Sequence, residues 1–404
     1  MTHIDDLVRT AVFSSDSTAK ADARKNIHML AREHGAIPSS ILPLYRALGR
    51  GEISRTFTVP AFNIRALTYD VARALFRAAM RHDVGPFIFE IARSEIGYTE
   101  QRPGEYAACV LAAAVAEGYK GPVFIQGDHF QASAKKWATP EGKQSEIKAL
   151  ESLIDEAIAA EFYNIDIDTS TLVDLSHETR DEQQRENYTY TAHFTKHIRA
   201  RQPNGIEISI GGEIGEVGKY NTQPDEVRAY IDGVKRELGD AGMAKISVQT
   251  GTSHGGVPMA DGSIAEAKID FGVLRETTEI CRREYGVAGS VQHGASTLPE
   301  AVFNKFPESN AVEIHLATGF QNMILDAPSL PAEMKSEIRQ FCFDNCMDER
   351  KSGESDEQFV YKTRKKALGP FKQRMWDMAP EAKQPILEAI EAKFEFLLEK
   401  LAVY

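Results

Sequence analysis

Eight short runs rich in β-branched and aromatic residues recur between Thr56 and Thr318, and a stretch with helical patterning separates each from the next. The runs are FTVPAFNI from Phe57, PFIFEIA from Pro86, PVFIQGD from Pro122, FYNIDID from Phe162, IEISIGGE from Ile206, AKISVQTG from Ala244, VAGSVQH from Val287 and AVEIHLA from Ala311. Most are too apolar to sit half exposed, as expected of parallel strands covered by helices. Between them, Val71, Leu75 and Ala78 or Ala79 form one apolar stripe. Ile147, Leu150, Leu153, Ile154 and Ile158 form another, among charges, between Thr139 and Ala160. The spacing leaves room for a right-handed crossover helix each time. The pattern predicts an α/β fold, a (β/α)8 TIM barrel over residues 56–328, with helical N- and C-terminal extensions at 1–55 and 329–404. An open doubly wound sheet is the alternative. No G-x-G-x-x-G opens a helix after the first run, which counts against a dinucleotide fold.

The N-terminal extension reads as two or three short helices, one of them after Ser39-Ser40. In the C-terminal extension Pro385 suits the first turn of a helix whose stripe is Ile386, Leu387, Ile390, Phe394, Leu397, Leu398 and Leu401. That stripe is expected to pack on the barrel or on a second subunit. Lys351 to Glu357 reads as a loop. The basic run Lys362-Thr363-Arg364-Lys365-Lys366 reads as a solvated helix face rather than a cover for the site.

Composition removes several functions. The 404 residues are 42% hydrophobic, enough for a large core, so the chain is not disordered. Lys plus Arg is 47 against 59 for Asp plus Glu, a formal charge of -12, which gives no reason to bind nucleic acid or an anionic membrane. No apolar run approaches the roughly 20 residues of a membrane span. The opening MTHIDDLVRT has acids and no apolar core, unlike a secretory signal. Four cysteines (Cys109, Cys281, Cys342 and Cys346) fit a reduced, cytoplasmic protein.

In such a barrel the active site lies at the carboxyl ends of the strands. Asp128 and His129 close the third run, Asp168 the fourth and Glu213 the fifth; His254 follows the sixth in GTSHGG, and His293 closes the seventh. Three histidines from three strand ends can hold one divalent cation and leave positions open for substrate. Gly255, Gly256, Gly294 and Gly319 follow strand ends, where backbone N–H groups can meet a phosphate, and Ser296 and Thr318 add hydroxyls. A metal beside a phosphate cradle suits enediolate chemistry on a phosphorylated substrate, with Asp128 moving a proton; metal-assisted hydrolysis needs the same parts.

Taken in order, VPAFNI, GDH, IDIDTS, E-I-G-E-V-G, GTSHG, HGAS and HLAT resemble the class II (metal-dependent) fructose-bisphosphate and tagatose-bisphosphate aldolase family. The resemblance implies Asp128 as general acid/base and His129, His254 and His293 as ligands of a metal, usually Zn²⁺, with Co²⁺, Mn²⁺ or Fe²⁺ as alternatives. It implies Asp168 and Glu213 as carboxylates near the metal and alternative ligands. Gly255, Gly294, Ser296 and Thr318 match the site for the C1 phosphate.

The chain departs from that family at several positions. His315 stands where an Asn reaches the triose, and is expected either to contact substrate or to pack within the barrel. Gln126-Gly127 replaces a His-x pair, Phe130 follows the DH pair, and Ala92, with Arg93 and Ser94 next, replaces a Ser that meets the distal phosphate. Asn221 falls near a loop Glu that shuttles a proton, with Glu216, Asp225 or Glu226 as replacements. Val257-Pro258-Met259 stands where a Lys is usual. The implied function is a carbon–carbon lyase of glycolysis and gluconeogenesis that cleaves fructose 1,6-bisphosphate to dihydroxyacetone phosphate and glyceraldehyde 3-phosphate. Alternatives are another ketose phosphate, such as tagatose 1,6-bisphosphate, or a non-catalytic subunit. The expected partners are the phosphorylated ketose and further copies of the chain, as a dimer or larger homo-oligomer.

Overall fold

All eight runs form strands, and one more strand precedes them. The computed structural model describes residues 3–54, 56–214, 220–251 and 269–404. The strands are β1 (Ala36–Pro38), β2 (Val59–Asn63), β3 (Ile88–Ala92), β4 (Gly121–Gln131), β5 (Asn164–Asp168), β6 (Ser209–Glu213), β7 (Lys245–Ser247), β8 (Ser290–Gln292) and β9 (Glu313–Leu316). From β2 to β9 each pairs in parallel with the next, and β9 returns to pair with β2, closing a (β/α)8 barrel. The first strand lies outside the closed ring and pairs with the start of the long β4, Ala36 opposite Gly121. It is too short to leave a period in the sequence.

The barrel interior changes character along its axis. At the amino ends of the strands Val59, Ala61, Ile88 and Val291 form an apolar floor with Ile41, Leu42, Tyr45 and Leu48, so the helix Leu42–Gly49 closes that end. Above the floor the inward residues are polar: Glu90, Gln126, Asp166, Lys245 and Glu313, all buried. The helix Pro103–Glu117 is apolar all round because the N-terminal helices His3–Phe13 and Ser17–His34 cover its outer side. No helix among the described residues is long and apolar enough to cross a membrane. The four cysteines are buried free thiols.

The last helix starts earlier than its sequence suggests. It spans Pro380–Lys400, with Pro380 in the first turn and Pro385 inside. Pro385 forfeits one backbone hydrogen bond, a loss that burial of the following stripe offsets. Ile386, Leu387, Ile390, Phe394, Leu397 and Leu398 are buried, and the ring of Phe394 packs 4.8 Å from both Phe62 and Phe320. The stripe therefore covers the outside of this chain's own barrel. Truncating Phe394 to Ala is expected to cost ~3–5 kcal/mol, as for other fully buried aromatic residues. Urea unfolding of the variant checks this; an unchanged midpoint would show that the helix is not part of the cooperative core.

Candidate active site

The carboxyl end of β4 is irregular. Its register against β5 shifts between Gly127 and Phe130, and His129 takes a left-handed φ of +40°. In a regular strand Asp128 and His129 would face opposite sides of the sheet; the bulge turns both to the mouth. A non-glycine residue in that region carries strain of about 1–3 kcal/mol, which the surrounding hydrogen bonds sustain.

Those bonds define the mouth. His129 Nδ1 lies 2.8 Å from Asp168 Oδ2, and its Nε2 lies 3.0 Å from His293 Nδ1. The other ring nitrogen of His293 meets Ser247 Oγ at 2.8 Å. Glu213 Oε2 is 3.6 Å from both His129 Nδ1 and His293 Nε2. One ligand atom from each of His129, Glu213 and His293 can lie within 4.8 Å of the others. Asp168 is also held by Gln131 Nε2 at 2.6 Å, by Ser170 Oγ at 2.7 Å and by the Ser170 N–H at 3.1 Å. It sits behind His129 and fixes the ring's orientation, as carboxylates behind metal-binding histidines do.

Beneath the mouth lies a buried charge network. Lys245, 1% exposed, donates from Nζ to Gln126 Oε1 at 2.8 Å, to Asp166 Oδ2 at 2.9 Å and to the Glu313 carboxylate. A Cβ at Gly211 would stand 2.2 Å from Asp166 Oδ1 and 2.8 Å from Lys245 Cε, so only glycine leaves room for this pair. Gln126 Nε2 donates to Glu90 at 3.1 Å and to Glu313 at 3.0 Å. From the floor, the Tyr45 hydroxyl donates to Glu313 as well. His315, 4% exposed, joins the network to the mouth: Nδ1 is 3.0 Å from Glu90 Oε2 and 3.1 Å from Asp128 Oδ1, and Nε2 is 2.6 Å from Glu313 Oε1.

Burial and neighbouring charge act against each other here. Burial alone would lower the His315 and His129 imidazoles. The carboxylates outweigh it and hold both well above the usual histidine range: Glu90, Asp128 and Glu313 around His315, and Asp128, Asp168 and Glu213 around His129. Burial raises Glu213 to about 8, helped by Asp168 and Asp128. It raises Glu90 to about 8, helped by Asp128, and Asp166 to about 6 against the pull of Lys245. For Glu313 burial also raises the pKa, but Lys245 and His315 overcome it and bring the carboxyl down to about 2. Asp168 is likewise held low, by His129, Ser170 and Gln131 acting against burial. Glu90 Oε1 and Asp166 Oδ1 are buried and have no hydrogen-bond partner among the described residues.

Of the residues singled out from the sequence, Asp128, His129, Asp168, Glu213, His293 and His315 come together at or just below the mouth. His254, Gly255, Gly256, Glu216 and Val257-Pro258-Met259 lie outside the described residues. Gly294 has a left-handed φ of +69°, and Ser296 Oγ accepts from the Gly319 N–H at 3.0 Å, tying the loops after β8 and β9 together. Thr318 opens the helix Thr318–Leu325, with Oγ1 3.5 Å from Arg65 Nη1. Asp225 pairs with Arg180 at 3.1 Å, and Glu226 caps its own helix through the Gln223 N–H at 2.8 Å. Asn221 Nδ2 donates to Asp270 at 3.3 Å. Ala92 lies opposite Asp128 in the sheet, Arg93 is bound to Glu146, and Phe130 is buried.

Lys245, Glu90, Asp166, Glu313 and Arg65 escape sequence reasoning. Their signal is faint: Asp166 at an alternate position of NIDID, Glu313 two residues before His315, a lone Glu in IFEIA, an Arg just after VPAFNI and a lone Lys heading an apolar strand.

A closed parallel barrel whose histidines and carboxylates gather at the strand ends defines a class of enzyme scaffold built around a potential metal site. Residues 53–396 match the family described as Fructose-bisphosphate aldolase class-II, and the chain belongs to that family. No curated protein matches it. Several solved structures share the fold, two of them with TM-scores of 0.60 and 0.65. A fructuronate-tagaturonate epimerase from Cohnella laeviribosi is 11% identical with a TM-score of 0.65, over 100% of this chain and 91% of that one. A probable tagatose 6 phosphate kinase from Sinorhizobium meliloti 1021 is 14% identical with a TM-score of 0.60, over 85% of this chain and 100% of that one.

Two predictions follow from the network. Lys245→Met leaves Glu313 and Asp166 without their buried cation and is expected to cost ~3–5 kcal/mol, read as a lower urea midpoint. Glu90 is raised from 4.5 to about 8. The folded chain therefore keeps this proton longer than the unfolded one. Its contribution is whole below pH 4.5 and is lost as pH rises toward 8, by at most ~1.4 kcal/mol per pH unit. Melting temperature should fall from pH 5.5 to 8 in the parent and fall less in Glu90→Gln; parallel curves would refute the assignment.

Proposed function

We propose that the chain is a zinc-dependent aldolase that reversibly cleaves a ketose bisphosphate, fructose 1,6-bisphosphate first, into dihydroxyacetone phosphate and an aldehyde. The observation that carries this reading is the convergence of His129, His293 and Glu213 beside Asp128 at the mouth of a class II aldolase barrel. The donor set fits a zinc-type ion: two imidazoles and a carboxylate, with Asp168 behind one imidazole and a local excess of carboxylates to balance a divalent charge. His254 is the further ligand in this reading. Bound there, the ion supplies positive charge beside the substrate carbonyl, which lowers the cost of negative charge on its oxygens.

The protein's own groups do the rest. Asp128 accepts the proton of the C4 hydroxyl. The O–H electron pair becomes the new carbonyl of the leaving aldehyde, and the C3–C4 bonding pair stays on C3. The proton then returns to C3, giving dihydroxyacetone phosphate. His315 holds Asp128 Oδ1 in one orientation and stabilises its ionised form, ready to take the proton. Ser296, Thr318 and the backbone at Gly255 and Gly294 take the C1 phosphate. Tagatose 1,6-bisphosphate is the second substrate to try. A ketose uronate is the third, because the epimerase that shares the fold is described as acting on fructuronate and tagaturonate.

The test is turnover of zinc-loaded protein on that panel. Chelation should abolish activity, and Zn²⁺ or Co²⁺ should restore it. Asp128→Ala should keep its metal while turnover drops ~10²–10⁴-fold, the usual worth of a positioned acid/base. Full activity after rigorous metal removal, or normal turnover in Asp128→Ala, rules the mechanism out.

A further inference from the structure

The basic run of the C-terminal extension is not a uniformly solvated face. Three of its four cations have acidic partners. Lys362 Nζ reaches Glu354 at 2.6 Å, Arg364 Nη2 reaches Asp326 at 2.8 Å, and Lys366 pairs with Glu349. Lys365 differs: it turns toward the barrel and lies 5.7 Å from the centre of the Tyr98 ring. Among the described residues no carboxylate stands within ion-pair distance of its ammonium.

Lys365 lies in the field of Glu95 and Arg65. Glu95 is already engaged, accepting from Arg65 Nη2 at 2.6 Å, Asn63 Nδ2 at 2.7 Å and the Ala92 N–H at 2.7 Å. Arg65 is the cation that takes the Glu95 carboxylate in direct contact, which leaves Lys365 with no carboxylate of its own at ion-pair distance among the described residues. Burial and Arg65 both press the Lys365 pKa below the usual lysine range, so holding this cation here costs stability.

The cluster sits at the active-site mouth. Asn63 ends β2, Ala92 ends β3, and Tyr98 closes the short helix Arg93–Tyr98 that leaves β3 directly. Arg65 feels the charge of Asp128 and touches Thr318. The turn that carries Lys365, Arg364–Ala367, is pinned against that helix. The Gly369 N–H donates to Tyr98 O at 3.1 Å, and a Cβ at Gly369 would stand 2.7 Å from the same oxygen. Ala367 and Leu368 are buried, and Lys372 Nζ bonds Glu100 O and Glu105, both at 2.7 Å. An unpaired cation held this firmly beside a catalytic mouth is suited to an anion that arrives with the substrate.

We propose that Lys365, delivered to the mouth by the C-terminal extension, binds the anionic group at the end of the substrate remote from the reacting carbons, a phosphate ester or a carboxylate. This rests on the proposed sugar-phosphate chemistry and adds a residue that sets its specificity. Arg65 and Tyr98 form the wall against which that group lies.

Two measurements test it. Lys365→Met removes the charge at similar side-chain length and should fold with a melting temperature no lower than the parent's. It should raise KM for a ketose 1,6-bisphosphate by about tenfold or more, leave kcat and KM for the corresponding ketose 1-phosphate unchanged, and be rescued by Lys365→Arg. Equal effects on both substrates, or none on either, overturn the proposal. The second measurement needs no turnover: acetylation of lysines in the intact parent protein, followed by peptide mass spectrometry, with inorganic phosphate or a ketose uronate added. Either anion should slow labelling of Lys365 and leave Lys362 and Lys366 unaffected, and the one that protects identifies the group. If no sugar phosphate is cleaved yet protection is seen, the aldolase reading fails and the anion site stands. Lack of protection by both anions removes the site.

Discussion

A lysine ammonium in the centre of the barrel organises everything above it. Lys245 is buried, so its charge is balanced on the spot by Glu313 and Asp166, with the Gln126 amide oxygen accepting a further hydrogen bond. Unpaired, such a cation would be far too expensive to bury. That necessity fixes Glu313, which fixes one nitrogen of His315, and the other nitrogen then points at Asp128 and Glu90. Lys245 and His315 set two positive charges among the carboxyl groups of Glu313, Asp166 and Asp128, while burial and the neighbouring Asp128 push Glu90 up to about 8, so that it holds its proton longer than the others. The helix Leu42–Gly49 completes the network from below through Tyr45, so an element of the N-terminal extension is part of the machinery that supports the mouth.

The bulge in β4 is the second determinant. It brings two successive residues to one side, where strand geometry alone would separate them. Asp128 is then held by His315, while His129 is held by Asp168, so neighbouring side chains answer to different partners. Two successive polar side chains can act separately at one strand end only if each is oriented by its own partner. The departure of Gln126 from the family pattern belongs to the same design: its amide accepts from Lys245 and donates to both Glu90 and Glu313, which an imidazole cannot do at once.

The extensions act on opposite ends of the barrel. The N-terminal one closes the floor and sheathes the apolar helix Pro103–Glu117. The C-terminal one covers the outer face beside Phe62 with its last helix and reaches the mouth with the turn Arg364–Ala367. Ion pairs between Arg77 or Arg81 and Glu391, at 2.6 and 2.7 Å, fasten that last helix to the helix Thr68–His82, and burial of Phe394 and Leu398 anchors it. A chain can thereby supply from its own termini groups that a bare barrel lacks.

The barrel was legible in the sequence because burial on both faces forces each parallel strand to be apolar or β-branched, and that leaves a visible period. Asp128, His129, Asp168, Glu213 and His293 were legible because they stand at the ends of those strands, where polar residues are conspicuous. The roles of Lys245, Glu90 and Glu313 were not, since a charged residue inside a short strand looks the same whether it meets water or an opposite charge across the barrel. His315 shows the same limit: its position in EIHL is plain, but whether it faces substrate or carboxylates depends on Glu90 and Glu313, one on a strand more than two hundred residues away. Lys365 reads as one cation among four in a polar run. Local sequence set the strands, the helices and the residues at their ends. Which charges meet was decided only by closure of the barrel and docking of the extensions, because electrostatic partners are chosen by distance in space and not along the chain.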